Sequence, residues 1–292
     1  MIAYDCDIDG LKAAVGVLDS TWLAKAKKRE KAIQEKKKFQ ESSSIWSDIK
    51  PVFIELQHRK CVFCERQFES QEYGRIEHDL EHFRPKSSVK SWPPQDWPTK
   101  YQTPMGESSK HGYYWLAYNL ENYAAACKVC NSPLKADYFP IGGRRAKTKR
   151  SYSPLREKPY LCYPIGKNDA DPETLITFMA TTAVPVATSG HERARGEVII
   201  DFFKLNDRLQ LHRERARMIS LLGSALKSLE AGIDVAINTQ VVSQLDGAHI
   251  PHAGCLRAFR RSWTSDKPLA ARVHNACQLY AVGIEDAKPP QP

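Results

Sequence analysis

The sequence predicts an α+β protein in which a small ββα metal-binding module with a four-cysteine zinc site is embedded in a mainly helical frame. Two observations lead to this prediction. Two Cys-x-x-Cys pairs, Cys61–Cys64 and Cys127–Cys130, lie far apart in a chain of 292 residues. The segments before the first pair and after the second repeat their apolar residues at helical spacing, whereas the segment between them reads as extended.

Composition excludes several classes of protein. Hydrophobic residues make up 42% of the chain and aromatic residues 10%, which argues against global disorder. No segment approaches the roughly 18 apolar residues of a membrane span, and the acidic N-terminus does not resemble a secretory signal. We therefore expect a cytoplasmic protein that does not act at a membrane. The net charge of +9 favours polyanionic partners, although many soluble proteins are equally basic.

Residues 1–50 are predicted to form an N-terminal helical region. Residues 1–21 place Leu11, Val15 and Leu18 at helical spacing, and residues 22–41 are predicted to form a basic helix. Its charges are either a solvated helix face or a contact surface for phosphates or a partner.

The cysteine spacing predicts a structural zinc site. The chain has eight cysteines and no recognisable secretion signal, whereas a disulfide scaffold is normally short and secreted. Each Cys-x-x-Cys pair can place two thiolates on one tetrahedral zinc ion. The alternative is two buried pairs of free thiols. The predicted zinc ligands are Cys61, Cys64, Cys127 and Cys130, and the cysteines predicted to be ordinary core or surface thiols are Cys6, Cys162, Cys255 and Cys277.

Residues 51–165 are predicted to form the metal-binding module. Residues 74–83 read as a strand that includes Glu81 and His82, and residues 84–112 read as a loop. An aromatic and apolar segment with Asn122 leads to the second cysteine pair, and a helix is predicted to begin at Asn131. Such a ββα arrangement can hold a divalent cation against a phosphodiester while an imidazole takes a proton from water.

The remaining residues predict a C-terminal region and a second basic surface. Residues 166–283 are predicted to contain a β-hairpin over residues 176–188, a helical stretch over residues 192–230 and two or three further helices. The tail, residues 284–292, is predicted to be disordered. Residues 143–158 contain seven Lys or Arg and one Glu, and with the basic helix they are the predicted phosphate contacts.

Three blocks of sequence resemble a known family. Residues 76–86 read Ile-Glu-His-Asp-Leu-Glu-His-Phe-Arg-Pro-Lys, residues 113–118 read Tyr-Tyr-Trp-Leu-Ala-Tyr, and residues 121–131 run from Glu-Asn to Cys-Asn. Over roughly residues 45–215 the chain resembles the zinc-knuckle branch of the HNH endonucleases. It is most similar to the HNH nucleases of Septu-type and retron-associated anti-phage systems, which usually act beside an ATPase.

The resemblance implies roles for four residues. His82 corresponds to the general base, and Glu81 lies where many members have a metal ligand. Asn122 corresponds to the middle Asn, which braces the hairpin and orients the histidine, and Asn131 takes the last position of the motif as the second metal ligand. With this H-N-N pattern, the catalytic ion is predicted to be Mg²⁺ or Mn²⁺.

For each of the other polar residues near the motif, the sequence allows two interpretations of its role. Arg84, Lys86 and Lys135 are candidate phosphate contacts or ordinary charges. His78 shares the predicted strand face of His82 and either supports the site or is exposed, and Asp79 shares the face of Glu81 and is a further candidate for a metal role.

The sequence therefore predicts a metal-dependent HNH endonuclease that cuts nucleic acid, with DNA favoured over RNA, as an effector of anti-phage defence with a possible ATPase partner. One rival is an HNH effector that cuts RNA or tRNA, because such a site does not by itself discriminate the sugar. A second rival is a zinc-dependent nucleic-acid-binding subunit without catalysis.

Overall fold

The chain combines helices with two small antiparallel sheets, as the predicted α+β class requires. A computed structural model describes residues 1–68, 77–94 and 105–282. The chain divides into two units, the first built mostly of residues 3–170 and the second mostly of residues 171–282. The predicted boundaries at residues 50, 165 and 283 remain predictions, and the tail over residues 284–292 lies outside the described residues.

The first unit begins with helices. Helix α1 spans Ile8–Leu18, helix α2 spans Trp22–Lys36, and helix α3 spans Lys50–Leu56 after a 3-10 turn over Trp46–Ile49. The predicted basic helix is therefore confirmed but is shorter than expected, because Lys37 adopts a left-handed conformation with φ of 52°. Helix α2 buries Trp22, Ala26 and Ile33, and most of its lysines are exposed.

Strands β1, His78–His82, and β2, Tyr123–Cys127, form the sheet of the first unit. They pair in antiparallel register, with His78 opposite Cys127 and His82 opposite Tyr123. The predicted strand over residues 74–83 thus contains β1, while its residues 74–76 lie outside the described part of the chain. Side chains alternate along β1, so that His78, Leu80 and His82 are buried.

A tight helical segment follows β2 directly. Lys128 and Val129 are helical, and Cys130–Lys135 form a π-helical turn that contains Pro133. The helix predicted to begin at Asn131 is therefore replaced by a π turn. Such turns are rare in proteins overall, and those that occur are often found at functional sites. Helix α4, Pro154–Glu157, lies later in the first unit.

The second unit is mostly helical. After the short helix α5, Pro172–Leu175, strands β3, Ile176–Met179, and β4, Thr182–Pro185, form the predicted hairpin. The five helices that follow are α6 over Gly190–Phe202, α7 over Leu209–Glu230, α8 over Val235–Leu245, α9 over Ala253–Ser265 and α10 over Lys267–Val282.

The prediction of one continuous helical stretch over residues 192–230 is wrong at one point, because the helix is interrupted between α6 and α7. Lys204 is left-handed with φ of 47°, and the Asn206 side chain bonds the backbone of Ala183 instead of continuing a helix. The helices pack around an apolar cluster that includes Leu222, Leu256 and Phe259. No described helix has the length and apolar character that crossing a membrane requires.

Candidate functional site

The four cysteines of the two Cys-x-x-Cys pairs meet in one buried cluster. The sulfur atoms of Cys61, Cys64, Cys127 and Cys130 all lie within 4.8 Å of one another. A tetrahedral zinc ion with Zn–S bonds of about 2.3 Å requires sulfur atoms about 3.8 Å apart, so the cluster can bind a metal ion such as zinc. The predicted grouping of ligands is confirmed.

Backbone hydrogen bonds tie the cysteine pairs to the hairpin. The Cys127 amide donates to Cys61 Sγ at 3.3 Å, and the Val62 amide donates to the Ala125 carbonyl at 3.0 Å. The buried Gln57 side chain donates to the Ala125 carbonyl at 2.8 Å and accepts from the Ala125 amide at 2.7 Å. Gln57 was missed from the sequence, because a single Gln in a helical stretch gives no signal.

Asn122 fastens the chain leaving β1 to the chain entering β2. Its Oδ1 accepts from the Arg84 amide at 2.8 Å, and its Nδ2 donates to the Arg84 carbonyl at 3.0 Å and to the Leu116 carbonyl at 3.2 Å. The Phe83 amide also donates to the Asn122 carbonyl at 2.8 Å. Asn122 therefore acts on the backbone beside His82, as a brace would, while the imidazole itself bonds elsewhere.

His82 is held in one orientation at the end of β1. Its Nε2 lies 3.0 Å from the Ala117 carbonyl, to which it donates, and the rings of Trp46 and Tyr123 meet the imidazole edge-on at 4.8 and 5.0 Å. No described residue bonds its Nδ1. Burial, with lesser contributions from Lys86 and Lys135, lowers the pKa of His82 well below its usual range. The imidazole is therefore neutral, with its lone pair on Nδ1.

Glu81 faces the other side of β1 and pairs with a lysine of the π turn. Lys135 Nζ lies 3.0 Å from Glu81 Oε1, and the Lys135 side chain is wholly buried while that of Glu81 is 12% exposed. Burial raises the pKa of Glu81 and lowers the pKa of Lys135, and their ion pair opposes both shifts. Lys135, predicted as a phosphate contact, thus lies in an internal ion pair.

Lys86 and Asp137 complete the charged surroundings of Glu81. The Lys86 ammonium lies 4.5 Å from the centre of the Trp46 ring, and burial lowers the pKa of Lys86. Asp137 Oδ2 accepts from Ser88 Oγ at 3.3 Å. Asp137 was missed from the sequence, although it lies only two residues after Lys135.

Asn131 lies with Asp79 rather than with Glu81. Its Nδ2 donates to Asp79 Oδ2 at 2.9 Å, and Lys128 Nζ donates to Asp79 Oδ1 at 2.6 Å. Although burial opposes the effect, these two hydrogen bonds lower the pKa of Asp79. The two predicted ligands of the catalytic ion, Glu81 and Asn131, are therefore engaged with different partners.

Arg84 is enclosed by aromatic rings. Its guanidinium lies 4.9 Å from the centre of the Phe139 ring and 5.3 Å from that of Tyr152, and its Nε lies 3.5 Å from Glu157 Oε2. Tyr113 donates to the other Glu157 oxygen at 3.0 Å. The predicted phosphate contact at Arg84 is thus placed in a buried network.

His78, at the other end of β1, is buried and stacked on Phe68 at 4.2 Å. Neither ring nitrogen has a hydrogen-bond partner in the described part of the chain. Burial, followed by the nearby Lys50 ammonium, lowers the pKa of His78 to about 4. His78 is therefore buried in the structure. Of the two predicted alternatives for this residue, the exposed position is wrong.

Across residues 1–68, 77–94 and 105–282, the cysteine cluster is the one group of three or more His, Cys, Asp or Glu side chains with ligand atoms this close together. A second metal ion held by the described residues alone would thus depend on fewer His, Cys, Asp or Glu ligands or on rearranged ones. Comparisons of the chain with protein-family models, with curated proteins and with solved structures found no match.

Proposed function

We propose that this protein is a metal-dependent endonuclease of the HNH type, which hydrolyses phosphodiester bonds in nucleic acid, with DNA favoured. The observation that supports this most is the state of His82. Its Nε2 is fixed on the Ala117 carbonyl and its Nδ1 is left without a partner among the described residues. A histidine with a structural role normally uses both nitrogens when it is buried.

In this proposal His82 is the general base. A base must be unprotonated and correctly oriented before the substrate arrives. Burial keeps the imidazole neutral at physiological pH, and the bond to Ala117 selects the tautomer in which Nδ1 can accept a proton from the attacking water. Glu81 would hold a divalent ion, and when bound, Mg²⁺ or Mn²⁺ supplies charge stabilisation at the phosphate and the leaving oxygen.

The two ends of the β1–β2 hairpin are fixed in different ways, which supports a preorganised site. The cysteine cluster lies at the His78–Cys127 end, and the Asn122 brace lies at the His82–Tyr123 end. A base on a hairpin that is fixed at both ends keeps its position without reorganisation during the reaction. Zinc in the cysteine cluster would thus have a structural role in the proposed enzyme.

Exposed cations provide a surface for the nucleic acid. Arg144 and Lys147 are exposed, whereas Arg145 is buried and donates to the Tyr113 hydroxyl at 2.8 Å and to the Phe139 carbonyl at 2.9 Å. Charge reversal at Arg144 or Lys147 is therefore expected to reduce the salt dependence of binding by about one phosphate contact each. The measurement is the slope of log affinity against log salt concentration, and an unchanged slope would remove this stretch from the interface.

The burial of the motif residues favours the non-catalytic rival. His82 is only 5% exposed, and Arg84 and Lys135 are used in internal ion pairs. A zinc-dependent binding subunit needs only the cysteine cluster and the basic surface, and it would tolerate a buried motif. The RNA-cleaving alternative has the same site, because the arrangement around His82 does not discriminate the sugar.

One product gel separates these functions. The zinc-loaded protein is incubated with supercoiled plasmid and, separately, with bulk tRNA, with Mg²⁺, with Mn²⁺ or with EDTA. Nicked or linear plasmid that requires the metal supports the DNA nuclease, and metal-dependent tRNA fragments support the RNA rival. Retarded but intact nucleic acid under all conditions would support the binding subunit.

A role in anti-phage defence beside an ATPase is part of the proposal and derives from the sequence resemblance. In this arrangement the nucleotide state of the ATPase would restrain the nuclease. Co-purification of an ATPase with the tagged chain from its native host would support the partnership. Full nuclease activity of the chain alone, unchanged by any co-purified protein or by ATP, would count against it.

A further inference from the structure

Three residues form hydrogen-bond or ring contacts with the His82 imidazole, and only one of them reaches solvent. These residues are Ala117, Trp46 and Tyr123. Ala117 and Tyr123 are wholly buried, whereas Trp46 is half-buried. A nucleic acid that approaches His82 past these contacts therefore meets Trp46 first.

Trp46 is held in place by the segment before it. Residues 37–45 connect helix α2 to the turn that begins at Trp46, and they form no helix or strand. The Trp22 indole donates to the Ile45 carbonyl at 2.7 Å, and the half-buried Phe39 ring packs against Trp46 with ring centres 5.8 Å apart. Phe39 and Trp46 are therefore a preorganised aromatic surface beside the proposed base.

The Lys86 ammonium lies against these two rings and has no anionic partner. It is 4.5 Å from the centre of the Trp46 ring and 5.2 Å from that of Phe39, and it forms no hydrogen bond or ion pair with a described residue. Contact with the rings offsets only part of the cost of burying a charge, so Lys86 points to an anionic ligand. Three other cations beside the hairpin already have a carboxylate: Arg84 has Glu157, Lys128 has Asp79, and Lys135 has Glu81.

A nucleotide combines the two groups that this surface suits. An ammonium binds a phosphate oxygen, and a base stacks on an aromatic ring. A base inside a duplex is covered by its neighbours, so it reaches such a ring only when it is unpaired.

We infer that Phe39, Trp46 and Lys86 form a binding site for one unpaired nucleotide of the substrate, next to His82. This inference rests on the proposed nuclease function and names its substrate as single-stranded or locally unpaired nucleic acid. On binding, the Lys86 ammonium leaves the rings for a phosphate oxygen, and a base covers the ring face of Trp46.

Equilibrium binding without added Mg²⁺ or Mn²⁺ tests the site apart from cleavage. Fluorescence anisotropy compares a short labelled single strand of DNA with the duplex of the same sequence, each titrated with the zinc-loaded full chain. Trp46→Leu is expected to weaken single-strand binding by roughly tenfold or more, the usual effect of losing a stacked base, and to leave duplex binding unchanged. Trp46→Phe keeps an aromatic ring and is expected to retain most of the single-strand affinity.

Tyr138→Leu is the matched control. Tyr138 is also a half-buried ring beside a lysine, with Lys90 Nζ 5.9 Å from its centre, but it has no ring contact with His82. Tyr138→Leu is expected to bind both DNAs like the wild type. If Trp46→Leu loses no single-strand affinity, or loses as much affinity for the duplex, the inference is overturned.

The salt dependence of single-strand binding tests Lys86. Lys86→Gln is expected to reduce the slope of log affinity against log salt concentration by about 0.7, the value for one phosphate contact on a single strand. The exposed Lys90 is the control, and Lys90→Gln is expected to leave the slope unchanged. An unchanged slope in Lys86→Gln would overturn the role of Lys86.

Tryptophan fluorescence tests the site with Trp46 itself in place, which matters if zinc content or circular dichroism shows that Trp46→Leu is misfolded. In a Trp97→Phe protein Trp46 is the only tryptophan that is not buried, since the others are Trp22, Trp92, Trp115 and Trp263. The single strand is expected to quench the Trp46 emission by stacking, and the duplex is not. Failure of the single strand to bind, or binding without quenching, would overturn the inference.

Parallel cleavage assays separate this inference from the proposed function. If Trp46→Leu loses the preference for the single strand but the wild type never cuts nucleic acid, the nucleotide site stands and the nuclease fails. If the wild type cuts and Trp46→Leu cuts single strands and duplexes at the wild-type rates, the nuclease stands and the nucleotide site fails.

Discussion

The chain contains two antiparallel hairpins that are braced by the same device, and the histidine beside each is used differently. Asn206 bonds both the amide and the carbonyl of Ala183 in β4, at 2.8 and 2.9 Å, as Asn122 bonds those of Arg84 after β1. His212, beside β3–β4, uses both nitrogens, on the Thr181 hydroxyl and on the Asn206 carbonyl, each at 2.8 Å.

His82 departs from this arrangement, because only its Nε2 is bonded within the described chain. The β3–β4 hairpin therefore shows what a purely structural version of the device requires, with both nitrogens of the histidine bonded. The β1–β2 hairpin has the same brace and a cysteine cluster, and Nδ1 of His82 is left over beside the brace, while both nitrogens of the buried His78 at the other end have no partner in the described chain. This difference is what a reactive histidine requires, and four predictions test it.

The largest effect is expected at the cysteine cluster. Cys130→Ser removes one ligand of a site whose zinc-binding free energy, about 10–16 kcal/mol in small zinc modules, is also folding free energy. We expect loss of zinc and unfolding around β1–β2, while hydrogen exchange of residues 176–185 in β3–β4 changes little. Metal analysis and exchange mass spectrometry measure both, with Cys6→Ser, outside the cluster, as the control. A folded Cys130→Ser protein with no zinc would refute the structural role of the metal.

The second prediction compares the two histidines. His82→Ala is expected to reduce cleavage by roughly 10²–10⁴-fold, the usual contribution of a positioned general base, and to retain zinc and nucleic-acid binding. His212→Ala is expected to reduce stability through its two lost hydrogen bonds and to cut at the wild-type rate below its melting temperature. Single-turnover cleavage rates decide this. Wild-type cutting by zinc-loaded His82→Ala would mean that His82 is as structural as His212.

The third prediction compares the two braces. Asn122→Ala leaves one backbone amide and two carbonyls without their partner, and Asn206→Ala leaves one amide and one carbonyl. We expect about 1–3 kcal/mol of lost unfolding free energy for each unsatisfied group. Urea unfolding measures the loss. Only Asn122→Ala should also slow cleavage, because only that brace adjoins the proposed base. Equal cleavage by the two variants would show that Asn122 does not position His82.

The smallest effect is a pH dependence in the β3–β4 region. Burial lowers the pKa of His212 below the ordinary value of 6.5. As the pH falls below that value the unfolded chain binds a proton that the folded chain does not, so stability falls with pH until the lower folded pKa is reached. One such group contributes at most about 1.4 kcal/mol per pH unit. His212→Gln should flatten this slope in the exchange of residues 176–185, and the exposed His111→Gln should not.

The sequence was informative where local patterns determine local structure. The cysteine spacing predicted the cluster, and the alternation around Thr181 predicted the β3–β4 hairpin. The sequence also placed Glu81 and His82 on a strand, which the structure has. These features depend on spacing along the chain, which is visible in a single sequence.

Features that depend on distant contacts were not predictable in this way. The ion pair of Lys135 with Glu81 depends on how the π turn lies over β1, and no periodicity encodes that geometry. The break of the helix at Lys204 could not be predicted, because it depends on the hydrogen bond from the Asn206 side chain to Ala183 in β4. Similarly, the sequence gives no sign that Arg84 is anything but a surface cation. Its burial is evident only from the structure, in which aromatic rings enclose its guanidinium.

The long separation of β1 from β2 has a consequence for synthesis on the ribosome. Residues 83–122 lie between these strands, whereas β3 and β4 are joined by Ala180 and Thr181 alone. At roughly 5–20 residues per second, the second cysteine pair leaves the ribosome several seconds after the first. During that interval Cys61 and Cys64 are a half-built thiol pair, open to oxidation or to an incorrect metal, while β3–β4 can pair almost as soon as it is made.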